Sequence, residues 1–170
     1  MGIKHTIDRA AVWLATGFGL GLVPVASGTF GTLLALPIVW LFWDHWQIGV
    51  VWQDVVLQTV LAVVLSLAAI PVCSVAERHF GTKDDGRIVA DEYMTFPLCM
   101  IGLPWNPWVL LTAFLSCRFF DIAKPAPADQ LQRIKGGTGI VIDDVVASLY
   151  SLLFNHVVYW GVLNRLLASG

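Results

Sequence analysis

Charge is what this 170-residue chain most lacks. Asp, Glu, Lys and Arg make up 13% of it, about half the ~25% of an ordinary soluble domain. Cysteine is scarce too. Cys73, Cys99 and Cys117 are far apart, form no CxxC and sit in apolar runs, so they read as small buried hydrophobes and not as disulfides or a metal knot. A Cys-x5-Arg loop is absent: Arg78 follows Cys73 one residue short of that spacing. That argues against a thiol phosphatase. No Ser-Gly-His occurs, which disfavours a histidine-based lipid phosphatase. Asp121-Ile122-Ala123-Lys124 lacks the second Asp of an aspartyl-phosphate motif. No basic stripe exists, so nucleic acid is not an expected partner. There is no internal repeat and no low-complexity tract.

What is present is apolar residue in excess. Hydrophobic residues reach 57%, and mean hydropathy is +0.74. A single domain, here residues 1–170, cannot bury that much in one core. A membrane protein is the leading class. The expected fold is an all-α, polytopic membrane helical bundle with about four to five membrane-embedded segments.

Ala10 to Ser27 resembles a signal-peptide core ending in Val25-Ala26-Ser27. Gly17, Gly19, Gly21, Pro24 and Gly28 make it a poor helix. It is expected instead to be an irregular, re-entrant or interfacial Gly-rich loop running through Gly31, covered by protein or water. Thr29 to Trp43 is a short apolar run with Pro37 marking a bend. Val55 to Ala76 has 22 residues without a charge, and about 20 suffice to cross a bilayer. Tyr93 to Cys117 predicts a tight hairpin of two short or tilted helices around Pro104–Pro107. Val145 to Leu163 is the last span, with His156 as a mid-span packing or hydrogen-bonding residue.

Charge placement orients these segments. With the N-terminus in the cytoplasm, the loops at 44–54 and 104–107 face out and contain no Lys or Arg. Segments 1–10, 77–92 and 118–144 face in and hold nine of the ten basic residues, from Lys4 to Lys135. That is a positive-inside signature. Trp40, Trp43, Trp46, Trp52, Trp105 and Trp108 flank the two outer loops, as an interfacial aromatic belt would.

The same topology gathers acids on the cytoplasmic side. Gly136-Gly137-Thr138-Gly139 leads through Ile140-Val141-Ile142 into Asp143 and Asp144. Asp91 and Glu92 open the segment before the hairpin, and Asp121 follows Arg118 by three, on one helical face. Pro125 ends that helix just after Lys124. For Asp143 and Asp144 one reading is acids favoured by a helix N-terminus. The other is ligation of a divalent metal, since hard cations take carboxylate oxygens. Asp84 and Asp85 read as solvated loop acids. The other five border apolar runs, where ionisable residues are functional suspects. Adjacent acids point about 100° apart on a helix, so one of each pair is expected to ligate and the other to meet Arg or Lys. Carboxylates for Mg²⁺ beside cations and a Gly/Thr loop suit phosphate chemistry. A small cation channel or carrier, and a non-catalytic membrane assembly subunit, are the alternatives. A channel predicts acids in mid-span, whereas these cluster at one mouth.

Four stretches in order resemble the phosphatidylglycerophosphatase A family: Gly21–Thr32, Ile88–Glu92, Arg118–Pro127 and Gly136–Asp144. The resemblance covers nearly the whole chain. It implies a Mg²⁺-dependent phosphatase of the bacterial inner membrane that converts phosphatidylglycerophosphate, a phospholipid held in the bilayer, to phosphatidylglycerol and inorganic phosphate. It carries catalytic and metal-binding roles to Asp91, Glu92, Asp121, Asp143 and Asp144. Arg118 and Lys124 are expected to clamp phosphate, with Thr29, Gly31 and Gly137 as further substrate-binding candidates. Two positions depart from the family pattern. Ser27 stands where Pro is usual, and Thr95 where Gly usually follows Asp-Glu.

Overall fold

The computed structural model describes residues 2–45 and 48–168, with side chains from 6 to 167. It is helical, and the described residues contain no strand. The elements are α1 (Gly2–Ala15), α2 (Ser27–Trp40), α3 (Val51–Phe80), α4 (Ala90–Thr95), α5 (Pro107–Ala123), α6 (Ala128–Leu131), α7 (Gly137–Val158) and α8 (Asn164–Ala168). A 3₁₀ segment, Phe96–Met100, prolongs α4, and π turns prolong α2 and α7. Trp46 and the side chain of Lys4, invoked for the aromatic belt and the charge bias, lie outside the described residues.

α3 and the α7–α8 rod are long and apolar enough to cross a membrane. Their mean hydropathies reach 2.4 and 1.5. Thirty residues of α3 extend about 45 Å, beyond the ~30 Å of a hydrocarbon core. Only 22% of the most apolar stretch of α3 is buried, against 50% for α7. Val56, Val60, Val64 and Leu67 of α3 are exposed. A contiguous bare face of this kind is not left to water.

The N-terminal expectation needs correction at both edges. Gly2–Ala15 form α1, and Ser27–Gly31 are the first turns of α2. The irregular stretch is confined to 16–26, where Gly17, Phe18, Gly19 and Ala26 all take positive φ. Gly21 is required there because a Cβ would strike the Arg87 backbone carbonyl. The two flanks are helical because their apolar positions find packing partners, which outweighs the low helix propensity of glycine.

The centre of the fold is the shortest arm. α4 and its 3₁₀ extension total 11 residues, about 19 Å, so this arm cannot traverse a bilayer alone. The predicted hairpin therefore has unequal arms, since α5 has 17 residues. Ala90, Phe96, Cys99 and Met100 are completely buried among α2, α3 and α7. Backbone leaving a helix in apolar surroundings must find other partners. Three helices supply them. Asn155 Nδ2 donates to the Cys99 carbonyl at 3.2 Å, Trp43 Nε1 to Met100 at 2.8 Å, and His156 Nε2 to Ile101 at 2.9 Å. Gln58 Oε1 accepts from the Gly102 N–H at 2.9 Å. His156 thus has the hydrogen-bonding role expected of it. All three cysteines are buried and free.

Candidate active site

α4 begins where the Val89 N–H donates to the Ala15 carbonyl, tying the end of α1 to the start of the central arm. Asp91 and Glu92 occupy its first turn. Asp121 lies on the last turns of α5, and Lys124 caps that helix with φ 42°. Asp143 and Asp144 lie nearly two turns inside α7, with no acid in its first turn. They are therefore not N-terminal acids held by the helix dipole, whose influence fades within one turn.

These elements enclose a cavity of about 280 Å³ lined by Asp91, Glu92, Asp121, Lys124, Asp143 and Asp144. Asp84, Ser27, Gly86, Ile88 and Ile122 complete the wall. All five candidate carboxylates thus meet in one place, drawn from three helices. Asp84, read as a solvated loop acid, joins them. Its signal was the same as theirs, an adjacent acid pair, but no apolar run borders it.

Each adjacent pair divides. Glu92 meets Arg118, with Nη1 3.3 Å from Oε1, and Asp143 meets Lys124, with Nζ 2.6 Å from Oδ2. Asp91 and Asp144 form no salt bridge among the described residues. Arg118 also holds Asp121 at 2.9 Å, confirming their shared face, and reaches Thr32 Oγ1 at 3.4 Å. Lys124 donates further to Gln132 Oε1 at 2.8 Å. Burial works against the Lys124 ammonium, but its hydrogen bond to Asp143 wins and holds its pKa above the ordinary value.

Four carboxylate oxygens are buried without a hydrogen-bond partner among the described residues: Asp91 Oδ1, Glu92 Oε2, Asp143 Oδ1 and Asp144 Oδ2. Leaving buried oxygens unmatched costs about 1–3 kcal/mol each, more if charged. A hard divalent cation resolves that cost with the ligand type present. The donor set therefore fits Mg²⁺ in kind. It is not preassembled, since among the described residues no three acids, His or Cys are gathered at coordinating spacing. Lys124 and Arg118 hold some of those acids instead.

The glycines act from behind the cavity. A Cβ at Gly28 would strike the Glu92 carboxylate and Arg118, and one at Gly31 would strike Glu92 and Val89. Both let α2 press against the Glu92–Arg118 pair. Gly137 lets α7 approach the Ile70 carbonyl of α3, and its N–H donates to Ser74 Oγ at 2.9 Å. Thr29, Gly31, Gly137 and Arg118 do not line the cavity, and the Thr29 N–H is already bonded to Ala26. Of the five substrate-binding candidates only Lys124 borders the cavity directly, and Arg118 touches two acids of its wall. The family-pattern departures have visible partners. Ser27 Oγ donates to the Gly86 carbonyl at 2.7 Å, and Thr95 Oγ1 to the Asp91 carbonyl at 2.6 Å.

The sequence profile of the phosphatidylglycerophosphatase A family matches residues 13–159. The chain belongs to that family. Phosphatidylglycerophosphatase A of Escherichia coli is 36% identical over 152 residues, 87% of this chain and 84% of that one. The Haemophilus influenzae protein of the same name is 31% identical over 153 residues, covering 86% and 88%. A Bacteroides thetaiotaomicron protein with a provisional phosphatidylinositol-3-phosphatase name is 34% identical over 154 residues, covering 88% and 93%. No solved structure matches significantly. The matched residues 13–159 include every element that contributes an acid to the cavity.

Proposed function

We propose that this protein is a Mg²⁺-dependent lipid phosphatase. It hydrolyses phosphatidylglycerophosphate to phosphatidylglycerol and inorganic phosphate at the cytoplasmic face of a bacterial inner membrane. The observation that carries the reading is the single cavity where partnerless carboxylate oxygens sit beside Lys124, with Arg118 behind. The names of the Escherichia coli and Haemophilus influenzae relatives support the substrate. Bare apolar faces on α3, α5 and α7 support a bilayer setting. In it α2, α3, α5 and α7 are membrane-embedded, and the α4 arm is re-entrant between them.

Asp91, Glu92, Asp121, Asp143 and Asp144 would hold the metal. Bound there, Mg²⁺ supplies charge neutralisation for phosphoryl oxygens and acidifies water for attack on phosphorus. Lys124 and Arg118 then have two tasks. Both stabilise the acids before substrate arrives; Lys124, which borders the cavity, orients and neutralises the phosphate dianion, while Arg118 acts on it through Glu92 and Asp121. The Lys124 ammonium meets charge that grows as the ester bond breaks, which is where fixed electrostatic groups accelerate most. The lipid need not leave the bilayer, because acyl chains stay between helices while the head group enters from the interface. The cation-channel alternative loses support because the acids share one end. The polar side chains deeper in the bundle, Ser116, Ser151 and Asn155, are neutral and bonded to one another.

The test is phosphate release from phosphatidylglycerophosphate by purified protein in detergent, with Mg²⁺ and then with EDTA. Phosphatidylinositol 3-phosphate serves as the competing substrate. Release that needs Mg²⁺ and favours phosphatidylglycerophosphate is expected. Ion flux in liposomes without phosphate release would overturn the reading.

A further inference from the structure

A second cavity, of about 460 Å³, lies between α5 and α7 and is lined by Thr112, Leu115, Ser116, Phe119, Phe120 and Phe154. That volume falls within the ~300–1,000 Å³ of small-molecule sites. Its walls are hydrocarbon and aromatic. Leu115, Phe119 and Phe154 remain exposed at 58%, 64% and 47%. The floor is rigid. Ser116 Oγ and Ser151 Oγ share a 2.5 Å hydrogen bond, and Ser116 donates to Asn155 at 3.0 Å. Phe120 stacks on Tyr150 with ring centroids 5.6 Å apart, and Tyr150 donates to the Ala126 carbonyl at 2.8 Å. These contacts hold one wall of the groove against the loop that follows Lys124.

The groove and the acid cavity both draw part of their walls from α5. Leu115, Phe119 and Ile122 recur at helical spacing along one face of α5. Ile122, 75% exposed, is itself part of the acid cavity's wall. One apolar stripe therefore climbs from mid-helix to the rim where the carboxylates begin. We propose that the α5–α7 groove is the acyl-chain subsite of the enzyme. It seats one fatty-acyl chain of a bound lipid phosphate while the head group occupies the acid cavity. This rests on the lipid-phosphatase reading and extends it, because it makes α5 a determinant of chain length. A free phosphate ester or a soluble sugar phosphate has no use for this stripe. A diacyl lipid spans both cavities.

Two variants test it from opposite walls. Leu115→Trp fills the groove and Phe154→Ala removes its far side. Substrates are a long-chain phosphatidylglycerophosphate and a water-soluble analogue with butyryl chains. Each variant is expected to raise KM for the long-chain lipid several-fold through lost shape complementarity, since a chain already in an apolar phase gains no water-to-oil transfer energy in the groove. Turnover of the butyryl analogue should be unchanged, which also verifies folding. Equal loss on both substrates, or no change on either, overturns the subsite. A second arm uses a long-chain lipid phosphate carrying a diazirine near the chain end. Label should map to the 111–120 and 150–154 peptides and fall when a phosphate-free diacylglycerol probe replaces it. Equal labelling by both probes would mean ordinary boundary lipid and overturns the proposal. If wild type hydrolyses neither substrate, the phosphatase reading fails, and the labelling arm alone still decides the groove.

Discussion

Gly31→Ala isolates the role of close helix approach at the site. A Cβ at Gly31 would lie 2.6 Å from Val89 Cβ and 2.5 Å from Glu92 Oε2. Ordinary contact starts near 3.4 Å, so α2 or the Val89–Glu92 segment must move by about 0.8 Å. Val89 is fully buried, and its N–H is held by Ala15, so the shift passes to Glu92 and to the Arg118 bonded to it. Alanine also gains about 1 kcal/mol of helix propensity over glycine, while overpacking costs about 1–3 kcal/mol. The net loss of stability is therefore small, ~0–2 kcal/mol. That corresponds to a fall in Tm of at most several degrees for a chain of this size. Catalysis should suffer more, because a displacement of about 1 Å of positioning groups costs on the order of 10²-fold. The assay pairs kcat on phosphatidylglycerophosphate with a melt in detergent. Gly161→Ala is the control, since a Cβ there meets nothing within 4 Å. Full activity in Gly31→Ala, or equal losses in both variants, would refute the argument that Gly31 exists to admit Glu92.

The remaining expectations address the acids, the cations, the buried network and the loop. Asp91→Asn, Glu92→Gln, Asp121→Asn, Asp143→Asn and Asp144→Asn should each lower kcat by about 10³-fold or more, with EDTA mimicking them in wild type; any one at full rate removes that residue from the metal set. Lys124→Met should leave Asp143 without its cation and reduce kcat/KM by at least ~10²-fold, whereas Lys124→Arg should recover part of it. Asn155→Leu removes the side-chain partner of the Cys99 carbonyl and one partner each of Ser116 and Ser151 and should lower stability by about 1–2 kcal/mol, within the range of buried membrane hydrogen bonds, read as a drop in Tm. Asp85 is held below its usual carboxylate pKa by the Arg87 hydrogen bond. Its contribution is therefore present above about pH 4 and is lost as pH falls through the lowered value. Asp85→Asn should accordingly flatten the acid limb of a Tm-against-pH curve, and an unchanged limb would show the contact to be idle.

How far the residues alone carry the argument differs from element to element. The all-helical class, the long apolar runs of α3 and α7 and the gathering of the five acids at one cavity were legible. The scarcity of charge, the uncharged run in α3 and the acids bordering apolar stretches are local patterns, and local patterns survive without coordinates. The pairing of Arg118 with Asp121 was legible for the same reason, being a matter of helical spacing. The 16–26 segment was harder. Its glycines announce irregular backbone, but the helices on either side owe their extent to packing against α3 and α4, which no window of sequence contains.

The amino-acid order by itself determined that this protein is an all-helical chain with two helices apolar and long enough to cross a membrane, and that its acids border apolar runs. Hydropathy and charge act residue by residue. Only the folded arrangement decided that Asp84 belongs with the other acids, that Gly28 and Gly31 serve Glu92 from behind, and that an apolar groove and the acid cavity share α5 as a wall. It alone decided that the carbonyls of the buried α4 arm are closed by Trp43, Asn155 and His156. These facts depend on contacts between residues tens of positions apart, and such contacts arise only when the helices have packed.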